Sequence, residues 1–270
     1  MSSKKINIVN HSPFKYFVID ELLDKNNYIE LKQNLINEID NINFIKQDNL
    51  YETIGGGDLN NSKNQNKASE FNNSQKQIIS LFNQNKPISN FISYVCSQKF
   101  SDYLYEKKIT DKKNYIVEPF HKLSLFEFFF REKTYVSLKF SQYGTGSHIN
   151  LHRDNRQKKY AFLFYFGFTD YVQRKSGGTQ ICKPNIEIKD HEKVDKNSYE
   201  IIYDIQPIDN RLAGFKVSDN SWHCVNPIEQ LPKGVKRLNL QINYMRCNYY
   251  TFPLKIYNKI LYFLSKVTQS

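Results

Sequence analysis

The most restrictive feature of this sequence is a series of short β-forming segments between residues 135 and 246, separated by clusters of Gly, Asn, Asp and Lys. Segments of this kind are typical of an antiparallel sandwich or barrel. The last segment, residues 237–244, alternates without a break, with polar residues on one face and Leu, Ile or Tyr on the other. Residues 160–168 are almost entirely apolar or aromatic, which indicates a buried strand that is too short to span a membrane.

The residues before this β-rich part predict a supporting layer. Residues 14–19 form a short β-prone run, after which Asp20 or Asp24 can cap a helix with apolar residues at helical spacing. After Pro87, the apolar spacing predicts one or two further helices that pack outside a sheet. Residues 55–77 are rich in Gly, Asn, Ser, Lys and Gln, which predicts a mobile surface loop, with a lid over a site as the alternative.

Length and composition fit a single folded domain. The chain has 270 residues, of which 40% are hydrophobic. We expect residues 1–134 to form N-terminal strand and helical support, residues 135–247 the β core, and residues 248–270 a C-terminal helix. The net charge of +11 favours anionic partners but also serves solubility. Four cysteines without a C-x-x-C spacing, and no apolar N-terminal stretch, predict a cytoplasmic protein with free thiols and no membrane span.

Three side chains in the β-rich part suggest a metal site. His152 and Asp154 stand two positions apart, so a strand directs both to the same face. On its own this pair would usually be a surface feature, but His223 follows 69 residues after Asp154, behind a strand-like segment and a turn. Two histidines and one carboxylate form the facial triad that holds Fe(II) and leaves adjacent coordination positions open, whereas a closed zinc site needs a fourth protein ligand.

The strand that follows the second histidine begins with Arg237. Its polar face would lie in water if the strand were at the surface. A guanidinium at this place can instead bind the far end of a dicarboxylate through two charge-assisted hydrogen bonds, on the order of 1.5–3 kcal/mol each. The pattern therefore predicts a metal site and an anion anchor together.

The stretch QYGTGSHINLHRD, which ends with His152 and Asp154, resembles the Fe(II)/2-oxoglutarate-dependent dioxygenases, especially their prolyl 4-hydroxylase-like branch. Arg237 lies 14 residues after His223, where the family places the basic residue that binds the 2-oxoglutarate 5-carboxylate. Because this branch commonly uses a shorter spacing and sometimes Lys, Lys236 and Lys233 are weaker alternatives. Similar family segments are the apolar strand 161–165, the turn Gly177-Gly-Thr179, the segment His223-Cys-Val-Asn-Pro227 and the lead-in 13–23.

The resemblance implies a mainly β fold with flanking helices: a double-stranded β-helix, also called a jelly roll and similar to the cupins, as one catalytic domain over residues 1–270. It implies that His152, Asp154 and His223 bind Fe(II). Arg237 would bind 2-oxoglutarate, and Tyr143 would donate a hydrogen bond to it. Related halogenases have a small residue in place of the carboxylate, so the Asp favours hydroxylation.

The implied function is a dioxygenase that uses Fe(II), 2-oxoglutarate and O2 and releases succinate and CO2. It would hydroxylate, desaturate or cyclise at an unactivated C–H bond of a small metabolite or amino-acid-like substrate, a class that includes anionic compounds. The alternatives are a protein prolyl or lysyl-type hydroxylase, a nucleobase demethylase and a non-catalytic jelly-roll binding module. Basic charge and Arg237-Leu-Asn239 suggest the demethylase, but its second arginine would fall at Asn243, which argues against a nucleic-acid partner.

Four further side chains are candidates for substrate binding. Arg153 and Arg156 lie beside the His-x-Asp pair and could recruit an anion, or they could form a solvated edge. Trp222 precedes the ligand His223 and is either a packing residue or a substrate contact. His148 lies in the turn before the metal-binding strand, where it either faces the site or is exposed.

Overall fold

The computed structural model describes residues 6–47, 51–55, 78, 85–116, 133–188 and 194–246. Within these ranges the helices are α1 (Lys25–Glu38), α2 (Lys86–Val95) and α3 (Gln98–Glu106), with 3-10 turns at Ile39–Asn41 and Lys196–Ser198. The strands are β1 (Ile6–Asn10), β2 (Tyr16–Ile19), β3 (Ile45–Lys46), β4 (Tyr51–Gly55), β5 (Tyr115–Ile116), β6 (Lys133–Tyr143), β7 (Ile149–His152), β8 (Lys158–Phe168), β9 (Thr179–Pro184), β10 (Tyr199–Ile205), β11 (Arg211–Lys216), β12 (His223–Val225) and β13 (Arg237–Arg246).

Two predicted segments fall outside this description. The loop 55–77, apart from Gly55, and the C-terminal helix 248–270 lie outside the described residues, so both stay predictions. The assignment of residues 1–270 to one catalytic domain likewise stays a prediction.

Each α-helix begins at a polar residue whose side chain accepts a hydrogen bond from the backbone N–H three residues later. These caps are Asp24, Asn85 and Ser97, so of the two candidates before α1 the structure uses Asp24. The two helices that follow position 85 agree with the apolar spacing there. Of the helices in the described part of the chain, none has the length and apolar character needed to cross a bilayer.

The strands form two sheets. The larger has the order β1-β2-β11-β8-β13-β6-β4-β3, with β5 pairing to β6, and the smaller has the order β10-β9-β12-β7. From β6 to β13 the chain therefore moves repeatedly between the sheets, which places β6, β13, β8 and β11 side by side in one and β7, β12, β9 and β10 in the other. This is the jelly-roll arrangement, and it confirms the predicted fold class.

The large sheet has two different faces, because successive residues of a strand point to opposite sides. On the side that we call the outer face, alternate residues of β8 and β13 pack with the three helices; they include Phe162, Phe164, Leu238 and Leu240. On the opposite side, which we call the inner face, Ala161, Tyr165 and Phe215 pack with Ile181 and Ile205 of the small sheet.

The polar half of β13 lies on this inner face. Arg237, Asn239 and Asn243 are 1%, 3% and 5% exposed, respectively, so the alternating polar residues face the interior rather than water. Ser141 and Ser137 on β6, the cross-strand partners of Asn239 and Asn243, are also buried. The interior of the jelly roll is thus apolar along β2, β11 and β8 and polar along β13 and β6.

Candidate metal and anion site

The small sheet brings the two predicted histidines together. His152 ends β7, His223 begins β12, and the two residues are direct partners in the antiparallel pairing of these strands. Their ring centroids lie 4.2 Å apart. Asp154 follows just beyond the end of β7, and one ligand atom from each of the three residues lies within 4.8 Å of the other two. The structure therefore places His152, Asp154 and His223 around one point.

Both histidines are held in one orientation by backbone carbonyls two positions earlier in the chain. His152 Nδ1 lies 2.8 Å from the carbonyl oxygen of Asn150, and His223 Nδ1 lies 2.9 Å from that of Ser221. A carbonyl can only accept, so in each ring Nδ1 carries the proton and donates it. This fixes the tautomer in which Nε2 is the nitrogen that can bind a metal.

The charges at the site suit a cation. Burial alone raises the pKa of Asp154, but the positive charges of Lys158, His223 and His152 outweigh it and lower that pKa to about 2. Burial, together with repulsion from His152, lowers the pKa of His223 to about 3. At neutral pH Asp154 is therefore a carboxylate and His223 a neutral imidazole, which are the forms that ligate a metal.

One buried atom has no partner unless a metal is present. Lys158 Nζ bonds Asp154 Oδ1 at 2.5 Å, whereas Asp154 Oδ2 is buried without a hydrogen-bond partner. An unpaired carboxylate oxygen in the interior is costly. A divalent cation bound by two imidazoles and this oxygen would satisfy it, so the three residues fit a metal of the Fe(II) class.

Arg237 occupies the inner face away from water. Its guanidinium carbon lies 3.9 Å from the ring centroid of Tyr143 and 5.8 Å from that of Tyr165. Its Nη1 donates to the carbonyl oxygen of Gly177, whereas its Nε is buried without a partner. Among the described residues no carboxylate pairs with this guanidinium, so a buried positive charge remains that an anionic ligand would neutralise.

The two tyrosines beside Arg237 are hydrogen-bond donors. Burial raises the pKa of Tyr143 and of Tyr165, and the nearby Arg237 offsets only part of this effect. Both phenols therefore remain protonated at neutral pH. The Tyr165 hydroxyl also lies 2.6 Å from the Thr179 hydroxyl on β9, so this group spans the two sheets.

A glycine makes the approach to Arg237 possible. Gly177 has a φ of +74°, and a Cβ at this position would lie 2.5 Å from Ile228 Cγ1 and 3.4 Å from Arg237 Nη1. Both the backbone conformation and the crowding therefore require glycine. This explains in physical terms the Gly-Gly-Thr turn that the sequence showed.

The other candidate side chains lie elsewhere. Trp222 packs on the side of the small sheet opposite His223, and the Arg153 guanidinium lies over its ring at 4.6 Å. Arg156 is exposed and pairs with Asp219 at 2.8 Å. His148 is half-buried, with Nδ1 3.0 Å from the Gly146 carbonyl oxygen. None of these contacts joins the side chain to the triad, and their predicted substrate roles stay predictions.

A comparison with known protein families identifies the family of the β-rich part. Residues 138–245 match the model of the 2OG-Fe(II) oxygenase superfamily, and this span contains the whole triad and Arg237. These residues form a 2OG-Fe(II) oxygenase domain. The recognition made from the sequence motifs is confirmed at the level of the superfamily.

Solved structures that resemble the oxygenase include prolyl hydroxylases. One, from Trichoplax adhaerens, was solved with a hypoxia inducible factor oxygen degradation domain peptide fragment; it shares 15% identity, with 86% of this chain and 83% of that chain covered and a TM-score of 0.43. A Pseudomonas putida prolyl-4-hydroxylase shares 12% identity over 86% and 93% of the two chains, with a TM-score of 0.42. A Burkholderia pseudomallei 2OG-Fe(II) oxygenase family oxidoreductase shares 10% over 86% and 85%, also at 0.42. No curated protein matches the sequence significantly.

The family assignment brings its cofactors. A 2OG-Fe(II) oxygenase uses Fe(II), 2-oxoglutarate and O2, and the domain contains a His-Asp-His triad that suits the iron. The expectation of these cofactors from the sequence is confirmed. His152, Asp154 and His223 would hold Fe(II), and Arg237 would hold a carboxylate of 2-oxoglutarate.

Sequence reasoning missed three residues that belong to this site. Lys158 lies four positions after Asp154, Tyr165 lies next to Arg237, and the Thr179 hydroxyl lies within hydrogen-bonding distance of the Tyr165 hydroxyl. The sequence shows the positive charge of Lys158 shortly after the His-x-Asp pair, but nothing in the local pattern distinguishes it from a solvated side chain. Tyr165 belongs to a run of apolar residues, where the sequence pattern does not tell the inner from the outer face.

Proposed function

We propose that this oxygenase uses Fe(II) and 2-oxoglutarate to hydroxylate an unactivated C–H bond of a small polar metabolite or amino-acid-like substrate. When bound, the iron with 2-oxoglutarate and O2 supplies the oxidising power, and succinate and CO2 are the by-products. The observation that carries the proposal is the joint presence of the converging triad and of a buried guanidinium without an acidic partner among the described residues.

The chain itself contributes binding and orientation. His152 and His223 are held in a fixed tautomer by backbone carbonyls, and Asp154 is held by Lys158. Arg237 would grip a carboxylate through charge-assisted hydrogen bonds, in a place from which water is excluded by burial. Fixed donors of this kind position a dicarboxylate without reorganisation during the reaction.

The inner face supports a polar substrate. Asn243 pairs with Ala161, Ala161 pairs with Phe215, and the Phe215 ring centroid lies 4.4 Å from that of His223. Asn243 is therefore in the cross-strand row of the large sheet that contacts a metal ligand. Its Oδ1 is buried without a hydrogen-bond partner. A substrate that brings an N–H or O–H donor near the oxidised carbon would satisfy this oxygen.

The experiment loads the protein with Fe(II) and 2-oxoglutarate anaerobically and then starts turnover with O2. The test compounds are free amino acids, small carboxylates, proline- and lysine-containing peptides and methylated nucleosides. We expect succinate to form and one small polar compound to gain an oxygen atom, and Asp154→Ala to abolish both. Oxidation of peptides alone would replace this proposal with a protein hydroxylase, and demethylation would replace it with a nucleobase demethylase. Iron-independent binding of a ligand without turnover would indicate a binding module.

A further inference from the structure

The residue Lys158, which no motif marks, is in direct contact with the metal site. It is the first residue of β8, and its Nζ bonds Asp154 Oδ1 at 2.5 Å. The two side chains are only 12% and 9% exposed, so this contact is shielded from solvent. Ion pairs at the surface contribute little because they are solvated and flexible, but a shielded pair fixes both side chains in one geometry.

An irregularity in the sheet turns Lys158 toward the site. The pairing of β8 with β13 shifts between Tyr244 and Met245, so that Tyr160 pairs with the former and Lys158 with the latter. One residue of β8, Lys159, is therefore extra. Without this bulge Lys158 would have the orientation of Tyr160, which packs on the outer face. The bulge aims a single side chain inward, as bulges next to active sites commonly do.

Lys158 completes a consistent pattern among the three ligands. In His152 the Asn150 carbonyl occupies Nδ1, in His223 the Ser221 carbonyl occupies Nδ1, and in Asp154 the Lys158 ammonium occupies Oδ1. In each residue one polar atom is held by the protein while the other can face the common point. For Asp154 that other atom is the buried Oδ2, which has no hydrogen-bond partner.

We infer that Lys158 is a positioning residue that orients Asp154 so that Oδ2 alone is presented to the metal. The inference rests on the proposed function, since it assumes that the triad binds a divalent cation. Groups that hold metal ligands by hydrogen bonds typically affect metal affinity by about 10- to 100-fold. Backbone carbonyls accept from Nδ1 of the two histidines, whereas Asp154 Oδ1 is held by a side chain that can be replaced.

The direction in which cation affinity changes when the Lys158 ammonium is removed distinguishes a positioning role from a purely electrostatic one. The Lys158 ammonium is a positive charge close to the metal position, so its removal by electrostatics alone would strengthen cation binding. If its main role is to orient Asp154, its removal weakens cation binding instead. Lys158→Met keeps most of the aliphatic stem and removes the charge and the hydrogen bond, which makes the two cases distinguishable.

The test is anaerobic Co(II) titration, followed by calorimetry and by the visible absorption of the bound ion. For Lys158→Met we expect Co(II) affinity about 10- to 100-fold below that of the wild type, with altered visible bands. Lys158→Gln, which keeps an N–H donor without the charge, should retain more affinity than Lys158→Met. Unchanged or tighter Co(II) binding in Lys158→Met, or equal losses in both variants, would overturn the inference.

Two controls assign any failure. Lys216→Met breaks a more exposed Lys–Asp pair of similar length, in which Nζ lies 2.7 Å from Asp111 Oδ2, and should leave Co(II) binding unchanged. Asp154→Ala should abolish specific binding. If Asp154→Ala binds Co(II) like the wild type, the proposed metal site itself fails; if only Lys158→Met behaves like the wild type, the metal site stands and Lys158 has no positioning role. Thermal unfolding of each metal-free variant shows whether it is folded. If Lys158→Met does not fold, the Co(II) affinity of Lys158→Gln alone decides whether Lys158 has a positioning role.

Discussion

The two faces of the large sheet are made by alternate residues of the same strands, yet they differ in the polarity of their side chains. The outer face of β8 and β13 packs against three helices through aliphatic and aromatic side chains, with the Tyr244 hydroxyl as a buried polar group on β13. Along β13 the inner face carries Arg237, Asn239 and Asn243, with buried polar atoms that have no hydrogen-bond partner in the described protein. Buried polar groups are normally satisfied. The contrast indicates that the outer face contributes stability, whereas the inner face is complementary to ligands.

The largest effect on stability is expected from the outer face. Phe162 is fully buried, and its ring centroid lies 4.9 Å from that of Tyr244 and 5.7 Å from that of Phe17. Phe162→Ala should lower the free energy of unfolding by about 3–5 kcal/mol, because it removes a large apolar side chain and leaves a cavity. Urea unfolding measures this loss. If the folded variant also lost affinity for 2-oxoglutarate, the separation between the two faces would be wrong.

The second effect concerns ligand binding on the inner face. Arg237→Met should weaken 2-oxoglutarate binding to the Mn(II)-loaded protein by about 100-fold, or about 2.7 kcal/mol, because paired charge-assisted hydrogen bonds are lost. Its stability should not fall, because a buried charge without an acidic partner is removed. Calorimetry measures the affinity. Lys236→Met is the control and also tests the alternative anchor; a large loss there, with little change in Arg237→Met, would reverse the assignment.

The third effect lies at the turn that supports Arg237. Gly177→Ala should destabilise the protein by about 1–3 kcal/mol and also weaken 2-oxoglutarate binding, because the φ of +74° is unfavourable and the Cβ crowds Ile228 and Arg237. Gly234→Ala is a matched control: its φ is +82°, but nothing lies within 4 Å of the new Cβ. Gly234→Ala should therefore show the backbone cost alone. Equal unfolding energies for both variants would mean that crowding at Gly177 is unimportant.

The smallest effect overall is expected at Asn243. Asn243→Leu should change the free energy of unfolding by less than about 1 kcal/mol, because an unsatisfied oxygen is replaced by an apolar group of similar size. The same variant should lower kcat/KM for the substrate by about 3- to 10-fold through the loss of one hydrogen bond. The reverse exchange on the outer face, Leu240→Asn, should be strongly destabilising. Comparable destabilisation by the two exchanges would contradict the proposal that the outer face provides stability and the inner face binds ligands.

The sequence predicted those parts of the molecule that depend on local periodicity. The alternation in residues 237–244 located β13 and its polar face, and the spacing of His152 and Asp154 located two of the three residues of the triad. That the polar face is buried does not follow from alternation, since a surface strand has the same pattern. It depends on the small sheet, which covers the inner face.

The remaining site residues depend on contacts that the sequence does not encode locally. Lys158 points to Asp154 because of a bulge, and a one-residue irregularity reverses every inference from period-two alternation. Arg237 meets Gly177, which lies 60 residues away, only because their segments converge in the folded domain. The arginines at 153 and 156 were close to the metal site in sequence, but the strand and turn direct them away from the triad.

The central claim is that the triad and Arg237 form one site for iron and 2-oxoglutarate, and anaerobic titration of the protein with both tests it most directly. We predict a weak visible charge-transfer band that saturates at a single equivalent of iron per chain and is absent in His223→Ala. No band in the wild-type protein, or an undiminished band in His223→Ala, would contradict the account.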